Sequence, residues 1–313
     1  MTKIGRGAVL GGRYQLEGQL GRGGMGQVWA GRDLRLHRPV AVKIAAAELL
    51  SDPDGRSRAL RRFEREARVA ASLEHANIAT VHDADVTGSA YWIAMQLVQG
   101  ATVDIVLGER DQERLDVPSA AALIAQLCAG LSAAHAADLV HRDLKPENVM
   151  IGRDGVVKIL DFGLVKLLSD LGSRLTMTGE YVGNILYASP ELLTGSRALD
   201  GRSDLYAVGC LLHHLLTGAP PFPRQQSARL VVQHLKESPP SAAARGVRIP
   251  AGLQGLLDGL LAKEPEDRPA SAATVYAALA PYLPAPDPAR ATGTCAPEDP
   301  RRPFVLPAGP VPT

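Results

Sequence analysis

Cysteine is scarce in this 313-residue chain, and the three present, Cys128, Cys210 and Cys295, lie far apart with no CxxC pair. That argues against a disulfide framework or a cysteine-built zinc site, and makes a reducing compartment the simplest home. Net charge is nearly absent too, since 34 Lys and Arg face 33 Asp and Glu to leave +1. Whole-molecule electrostatics therefore give no reason to expect nucleic acid or an anionic membrane as the main partner. No internal repeat recurs, and the first twelve residues hold Lys3 and Arg6 but no apolar run of signal-peptide length. Two stretches lack charge for long enough to span a bilayer, 117–137 and 205–223. The first is mostly alanine, interrupted by Pro118, Ser119, Gln126, Ser132 and His135; the second holds His213, His214, Thr217 and three prolines. Their apolar content is too dilute for lipid, so both read as buried helices of a globular domain and no membrane span is expected.

What is present supports a core: 46% of residues are apolar and 21% charged, ordinary for a soluble fold. Residues 1–13 read as a flexible N-terminus. Nine of the 23 prolines fall in 284–313, and such a stretch propagates neither helix nor ladder, so it is expected to be a flexible, extended tail that could serve a proline-binding groove. Between these ends, 14–99 looks strand-rich. Arg13-Tyr14-Gln15-Leu16 alternates, and Val40 to Ile44 and Tyr91 to Met95 are short apolar runs. One amphipathic helix, 57–73, interrupts them. From Gly100 to Leu283 the pattern turns helical. Ser119 is expected to cap a helix to about Ala136, Ser203 or Asp204 to start one ending at Gly218, and Ser271 to start the last, to about Leu283. Val149-Met150-Ile151 and Val156 to Ile159 flank Asp154-Gly155, a strong hairpin signal. The expected fold class is α+β, a small sheet-rich lobe followed by a larger helical lobe, with a ligand in the cleft between them.

Chemistry concentrates in three places. Gly21-Arg22-Gly23-Gly24-Met25-Gly26 matches GxGxxG between two strands, so it is a hairpin tip whose backbone N–H groups can cover phosphate oxygens, and not the strand-to-helix turn of a dinucleotide fold. Lys43 lies on an apolar strand, where an ammonium needs a carboxylate or phosphate, and Glu66 on the following helix is the natural partner. The third is His141-Arg142-Asp143-Leu144-Lys145-Pro146-Glu147-Asn148, followed by Asp161-Phe162-Gly163. The hairpin between them should bring Asn148 and Asp161 side by side as oxygen ligands for a hard cation such as Mg²⁺ (or Mn²⁺). Asp143 is then left to orient or deprotonate an attacking hydroxyl, and Lys145 to offset charge on a moving phosphoryl group.

On these motifs the chain resembles the eukaryotic-type (Hanks-type) serine/threonine protein kinases, in flavour the bacterial members, over about 14–283. The resemblance implies the two-lobed protein-kinase fold, with ATP and Mg²⁺ as cofactors and Ser or Thr hydroxyls of proteins as acceptors. It implies that Gly21, Gly23 and Gly26 cover the phosphates, and that Lys43, paired with Glu66, holds the α- and β-phosphates. By the same analogy Leu20, Val28, Ala41, Met95, Leu97, Val98 and Met150 line the adenine pocket. Asp143 and Lys145 become catalytic, and Asn148 and Asp161 metal ligands. Glu191 of Ser189-Pro190-Glu191 pairs with Arg268, and Asp204 opens a central buried helix.

Thr176 and Thr178 lie between Asp161 and Ser189. Phosphate on them could pair with Arg142 and Lys166, so trans-autophosphorylation through a transient homodimer is expected. One departure stands out: Gly183-Asn184 occupies the place of the usual Gly-Thr, whose hydroxyl bridges the catalytic Asp and Lys. That keeps a pseudokinase or scaffold as the alternative. A small-molecule phosphotransferase and a non-catalytic nucleotide-binding module are weaker rivals. With no span or sensor domain expected, the cytoplasm is the expected location.

Overall fold

In the computed structural model the described residues are 5–23, 26–45, 67–87, 90–109, 113–162, 185–196, 199–223 and 225–284. They divide into two compact units. One holds the described residues of Met1–His75 and Ala79–Val98, the other those of Ala76–Ile78, Gln99–Phe162 and Gly179–Thr313.

Six antiparallel strands build the first unit: β1 (Val9–Leu10), β2 (Tyr14–Gly23), β3 (Gly26–Asp33), β4 (Arg38–Ala45), β5 (Val81–Thr87) and β6 (Ala90–Gln96), in the order β1-β2-β3-β4-β6-β5. Period-2 alternation divides their side chains between two faces. Tyr14, Leu16, Trp29, Val40, Val42, Ile44 and Trp92 form a buried cluster on one. The register pairs Val28 with Lys43, Lys43 with Ile93, and Ala41 with Met95, so Val28, Ala41, Lys43 and Met95, expected to face the ligand, share the opposite face. Beside the cluster Arg13 grips the buried Asp33 with Nε and Nη2 at 2.9 and 2.7 Å, and that hydrogen bonding holds the carboxyl well below its ordinary range. Residues 67–72 are helical, the described end of the helix expected over 57–73.

The second unit begins with β7 (Gly100–Thr102), which joins β8 (Val149–Gly152) and β9 (Val157–Ile159) in a small antiparallel sheet. Its helices are α1 (Val103–Gly108), α2 (Val117–Ala136), α3 (Pro190–Leu193), α4 (Gly201–Thr217), α5 (Ser227–Lys236), α6 (Ala251–Leu260) and α7 (Ala272–Leu279). Helix α2 is the one described helix long and apolar enough to cross a membrane, and 78% of its apolar stretch is buried inside the fold. It packs on α4, α7 and β9. Gln126 of α2, 2% exposed, accepts hydrogen bonds from Val157 N and Asn77 Nδ2 at 2.9 and 3.0 Å, which pins the β8–β9 hairpin to the helix.

Two helix starts differ from expectation. Asp116, not Ser119, caps α2, accepting from Ser119 N at 2.9 Å. Asp200 caps α4 through Arg202 N, so Ser203 and Asp204 lie inside the helix, where their side chains make tertiary contacts instead. Ser271 caps α7 as expected, but the helix ends at Leu279 and passes into a 3₁₀ turn, Ala280–Tyr282. Helices α4 and α6 meet at Gly209, where a Cβ would lie 2.8 Å from Leu260 Cβ. Neither backbone can retreat cheaply in a close-packed core, so Gly209→Ala is expected to cost about 1–3 kcal/mol in denaturant melts.

Candidate active site

The hairpin sets the geometry. Val149 pairs with Ile159, Met150 with Lys158 and Ile151 with Val157, while Asp154 Oδ1 accepts from Val156 N at 3.0 Å to close the turn. At the open end Leu160 N donates to Asn148 O at 2.9 Å. Asn148 and Asp161 are therefore adjacent for covalent and register reasons together, as the sequence predicts. Asn148 ends the 3₁₀ turn Pro146–Asn148, and its Nδ2 donates to Asp143 O at 2.7 Å and Asp143 Oδ2 at 3.2 Å. Both amide hydrogens are thereby used, which fixes the amide's orientation and leaves Oδ1 as its acceptor atom. Asp143, Asn148 and Asp161 thus converge.

Two residues in this segment adopt left-handed backbone, Arg142 at φ 63° and Asp161 at φ 60°, a conformation that costs a non-glycine residue of order 1 kcal/mol and persists only where neighbours impose it. His141 supplies part of that constraint. Fully buried, its ring lies 2.8 Å from Leu160 O through Nε2, and Nδ1 accepts from Asp143 N at 3.2 Å. An amide can only donate, so Nδ1 is the acceptor and Nε2 carries the hydrogen. The ring also packs on Phe162, with centroids 5.1 Å apart. His141 therefore joins the residue before Asp161 to the backbone of Asp143.

Beneath it, Asp204 on α4 accepts from His141 N at 2.8 Å, Arg142 N at 2.9 Å and His135 Nε2 at 2.8 Å. Burial pushes the Asp204 carboxyl up, but the His135 hydrogen bond and charge lead the contributions that outweigh it and hold the group below its ordinary range. A second anchor lies at α3. Arg268, 4% exposed, donates to Glu191 Oε1 and Oε2 at 2.7 and 2.9 Å, and to the carbonyls of Ala262, Arg202 and Lys263 at 2.8–2.9 Å. Ser203 Oγ completes the set on Glu191.

Asp143 and Lys145 line a small hollow with Arg142, Tyr187, Ser189 and Leu192. Its enclosed space, about 10 Å³, suits about one water. Tyr187 in turn meets His214 on α4, hydroxyl to Nδ1 at 2.7 Å, and burial together with His213 holds His214 down to about 4. Sequence reasoning gave His135, Tyr187 and His214 no role. His135 and His214 stood out only as polar residues in largely apolar helical stretches.

The remaining expected residues belong to the first unit. Gly21 pairs with Val28 and Gly23 with Gly26, so β2 and β3 run through the glycine segment on both sides. Gly26 has φ 132°, and a Cβ there would collide with Ile44 O. Leu20 is exposed, Leu97 and Val98 half-buried, Ala41 and Met95 buried. Met150 lies on β8, in the same unit as Asp143. Glu66, Lys166, Thr176, Thr178 and Asn184 lie outside the described residues.

A β-rich unit with a glycine hairpin and a strand lysine, and a helical unit with this Asp-Asn-Asp arrangement, define a protein kinase domain. Residues 14–279 match the family described as the protein kinase domain, and the chain belongs to it. It is similar to the serine/threonine-protein kinase PknB of Mycobacterium tuberculosis, 39% identical over 272 residues that cover 85% of this chain and 42% of that protein. It is also similar to pkn3 of Myxococcus xanthus, 39% identical over 276 residues, 85% of this chain and 49% of that one. Among solved structures, the kinase domain of M. tuberculosis PknI superposes with a TM-score of 0.70 at 29% identity, covering 90% of this chain and 100% of that one. The domain is thus a Hanks-type bacterial serine/threonine kinase domain. The chain spans less than half the length of these curated relatives.

Proposed function

We propose that the chain is an active kinase that transfers the γ-phosphoryl group of ATP to Ser or Thr hydroxyls of proteins. The observation that carries this reading is the hydrogen bonding of Asn148 to Asp143 at the mouth of the hairpin that ends in Asp161. The donor set fits a divalent cation: one amide oxygen and one carboxylate are hard ligands that leave room for phosphate and water, as Mg²⁺ or Mn²⁺ prefers. When bound, that metal neutralises phosphate charge. Asp143 accepts a hydrogen bond from the acceptor hydroxyl and takes its proton, and the Lys145 ammonium opposes charge on the transferring group. In the first unit Lys43, with Glu66, holds the α- and β-phosphates, and the amides of Gly21, Gly23 and Gly26 cover them. Leu20, Val28, Ala41, Met95, Leu97, Val98 and Met150 receive the adenine. Lys43, Asp143, Asn148 and Asp161 are all present in the sequence, which disfavours the scaffold alternative.

In the same reading Thr176 and Thr178 are autophosphorylated in trans within a transient dimer and pair with Arg142 and Lys166, and the domain works in the cytoplasm. Mass-detected phosphate transfer to a generic basic protein, together with peptide mapping of the kinase after incubation with Mg-ATP, tests both points. Transfer with phosphate on these threonines is expected, and no transfer to any protein would contradict the activity. Asn148→Ala is expected to raise the Mg²⁺ concentration for half-maximal turnover by about 10–100-fold, the usual scale for a weakened metal site, measured by titration at saturating ATP.

A further inference from the structure

A second opening in the helical unit shares no lining residue with the hollow beside Asp143. Arg114, Leu115, Val117, Leu216, Val247 and Arg248 line it, and its volume of about 440 Å³ falls in the range of small-molecule pockets. Its walls come from the residues entering α2, the end of α4 and the segment leading into α6. Backbone hydrogen bonds fix those three places. Leu115 N donates to Leu215 O at 2.7 Å, which ties the approach of α2 to α4. Val247 N donates to Ala242 O at 2.9 Å across a turn that Gly246 closes at φ 76°. Ala242 N in turn donates to Gln254 Oε1 of α6 at 3.1 Å. The opening is thus framed by packed helices and bonded turns.

Its lining combines an apolar floor with unsatisfied cations. Leu115 and Leu216 are buried, and Val117 and Val247 half-buried. The Arg114 and Arg248 guanidiniums make no hydrogen bond or ion pair among the described residues. Asp116, the carboxylate in the lining, is engaged as the cap of α2 through Ser119 N at 2.9 Å, and neither arginine pairs with it. Two cations against one carboxylate leave one formal positive charge. A guanidinium matches a carboxylate with two parallel hydrogen bonds. An apolar floor gives nothing to a small inorganic anion but favours attached hydrocarbon. Charge and floor together fit a monoanion with an apolar chain.

We propose that this opening binds a small amphiphilic carboxylate, its head group on Arg114 and Arg248 and its hydrocarbon on Leu115, Leu216 and Val247. Titrating the full chain with sodium decanoate, followed by amide NMR, tests the proposal. The expected result is saturable shifts centred on Leu115, Val117, Leu216, Val247 and Arg248. Combining Arg114→Gln with Arg248→Gln should weaken decanoate binding by about 10–100-fold, the scale of lost charge-assisted hydrogen bonds. Two further probes separate head group from chain on the unaltered protein. Decanol keeps the chain without the charge, acetate keeps the charge without the chain, and each should bind at least about tenfold more weakly than decanoate. No saturable shift, shifts centred on the catalytic residues or on another surface, unchanged affinity in the glutamine variant, or decanol or acetate binding as tightly as decanoate would each overturn the proposal. The titration needs neither nucleotide nor turnover, so its outcome is independent of the phosphoryl-transfer reading.

Discussion

Asp143→Asn is expected to lower turnover by about 10²–10⁴-fold, the usual worth of a positioned general base, while nucleotide affinity stays nearly unchanged. The substitution is close to isosteric. An asparagine carbonyl at 143 can still accept from Asn148 Nδ2, and the stronger bond from that amide, 2.7 Å long, goes to the backbone oxygen of residue 143 and is untouched. The loop should keep its shape and lose only a carboxylate able to take a proton. An interaction used in the transition state and not in the ground state appears in kcat and leaves binding alone. Single-turnover rates and nucleotide titrations on the same preparation separate the two quantities. Equal turnover by the variant and the parent would remove Asp143 from the chemistry.

The largest expected effect on stability belongs to Arg268. Its guanidinium serves three carbonyls and both oxygens of Glu191 from a site that is 4% exposed. Arg268→Met leaves those carbonyls short of donors and the half-buried Glu191 without its cation, a loss of about 3–5 kcal/mol that lowers Tm by on the order of 10 °C. Glu191→Gln in the same background should recover part of it, because the stranded charge is gone.

The pair also has a pH signature. Burial pushes the Glu191 carboxyl up, yet its hydrogen bonds to Arg268 and Ser203 outweigh this and hold it below the ordinary range. A carboxyl lowered by folding stabilises the native state above its unfolded pKa, and that contribution fades as pH falls through the folded value. In Arg268→Met the hydrogen bond from Ser203 remains but the opposition to burial is weakened, and the carboxyl rises. The Tm gap between parent and variant should therefore narrow as pH is lowered from about 7 toward about 4. A gap independent of pH would show that packing, not charge, is what Arg268 supplies.

Much of this was legible in the residues. Asp154-Gly155 between two short apolar runs fixes the hairpin, and the hairpin alone brings Asn148 beside Asp161. Apolar alternation in β4 and β6 places Lys43 on the face opposite the Trp29 and Trp92 cluster. What the chain concealed was the use of polar residues in its helices. Ser119, Ser203 and Asp204 are all good capping types, and local spacing cannot tell a cap from a side chain recruited into the interior. Asp116 and Asp200 take the capping positions three or four residues earlier, which frees Ser203 for Glu191 and Asp204 for His135 and the His141 and Arg142 amides. Tyr187 and His214 are 27 residues apart, and their contact follows from packing between α4 and the segment before α3. Nothing in either local sequence announces it.

Asp143, Asn148 and the end of the hairpin at Leu160 share one neighbourhood, and metal position reads it most directly. Diffraction from crystals grown with Mn²⁺ and a non-hydrolysable ATP analogue, with anomalous scattering locating the manganese, would show where the cation sits. The expected peak lies within coordination distance of Asn148 Oδ1 and the Asp161 carboxylate, the residues that would hold the cation. Manganese and nucleotide bound out of reach of both side chains would contradict it.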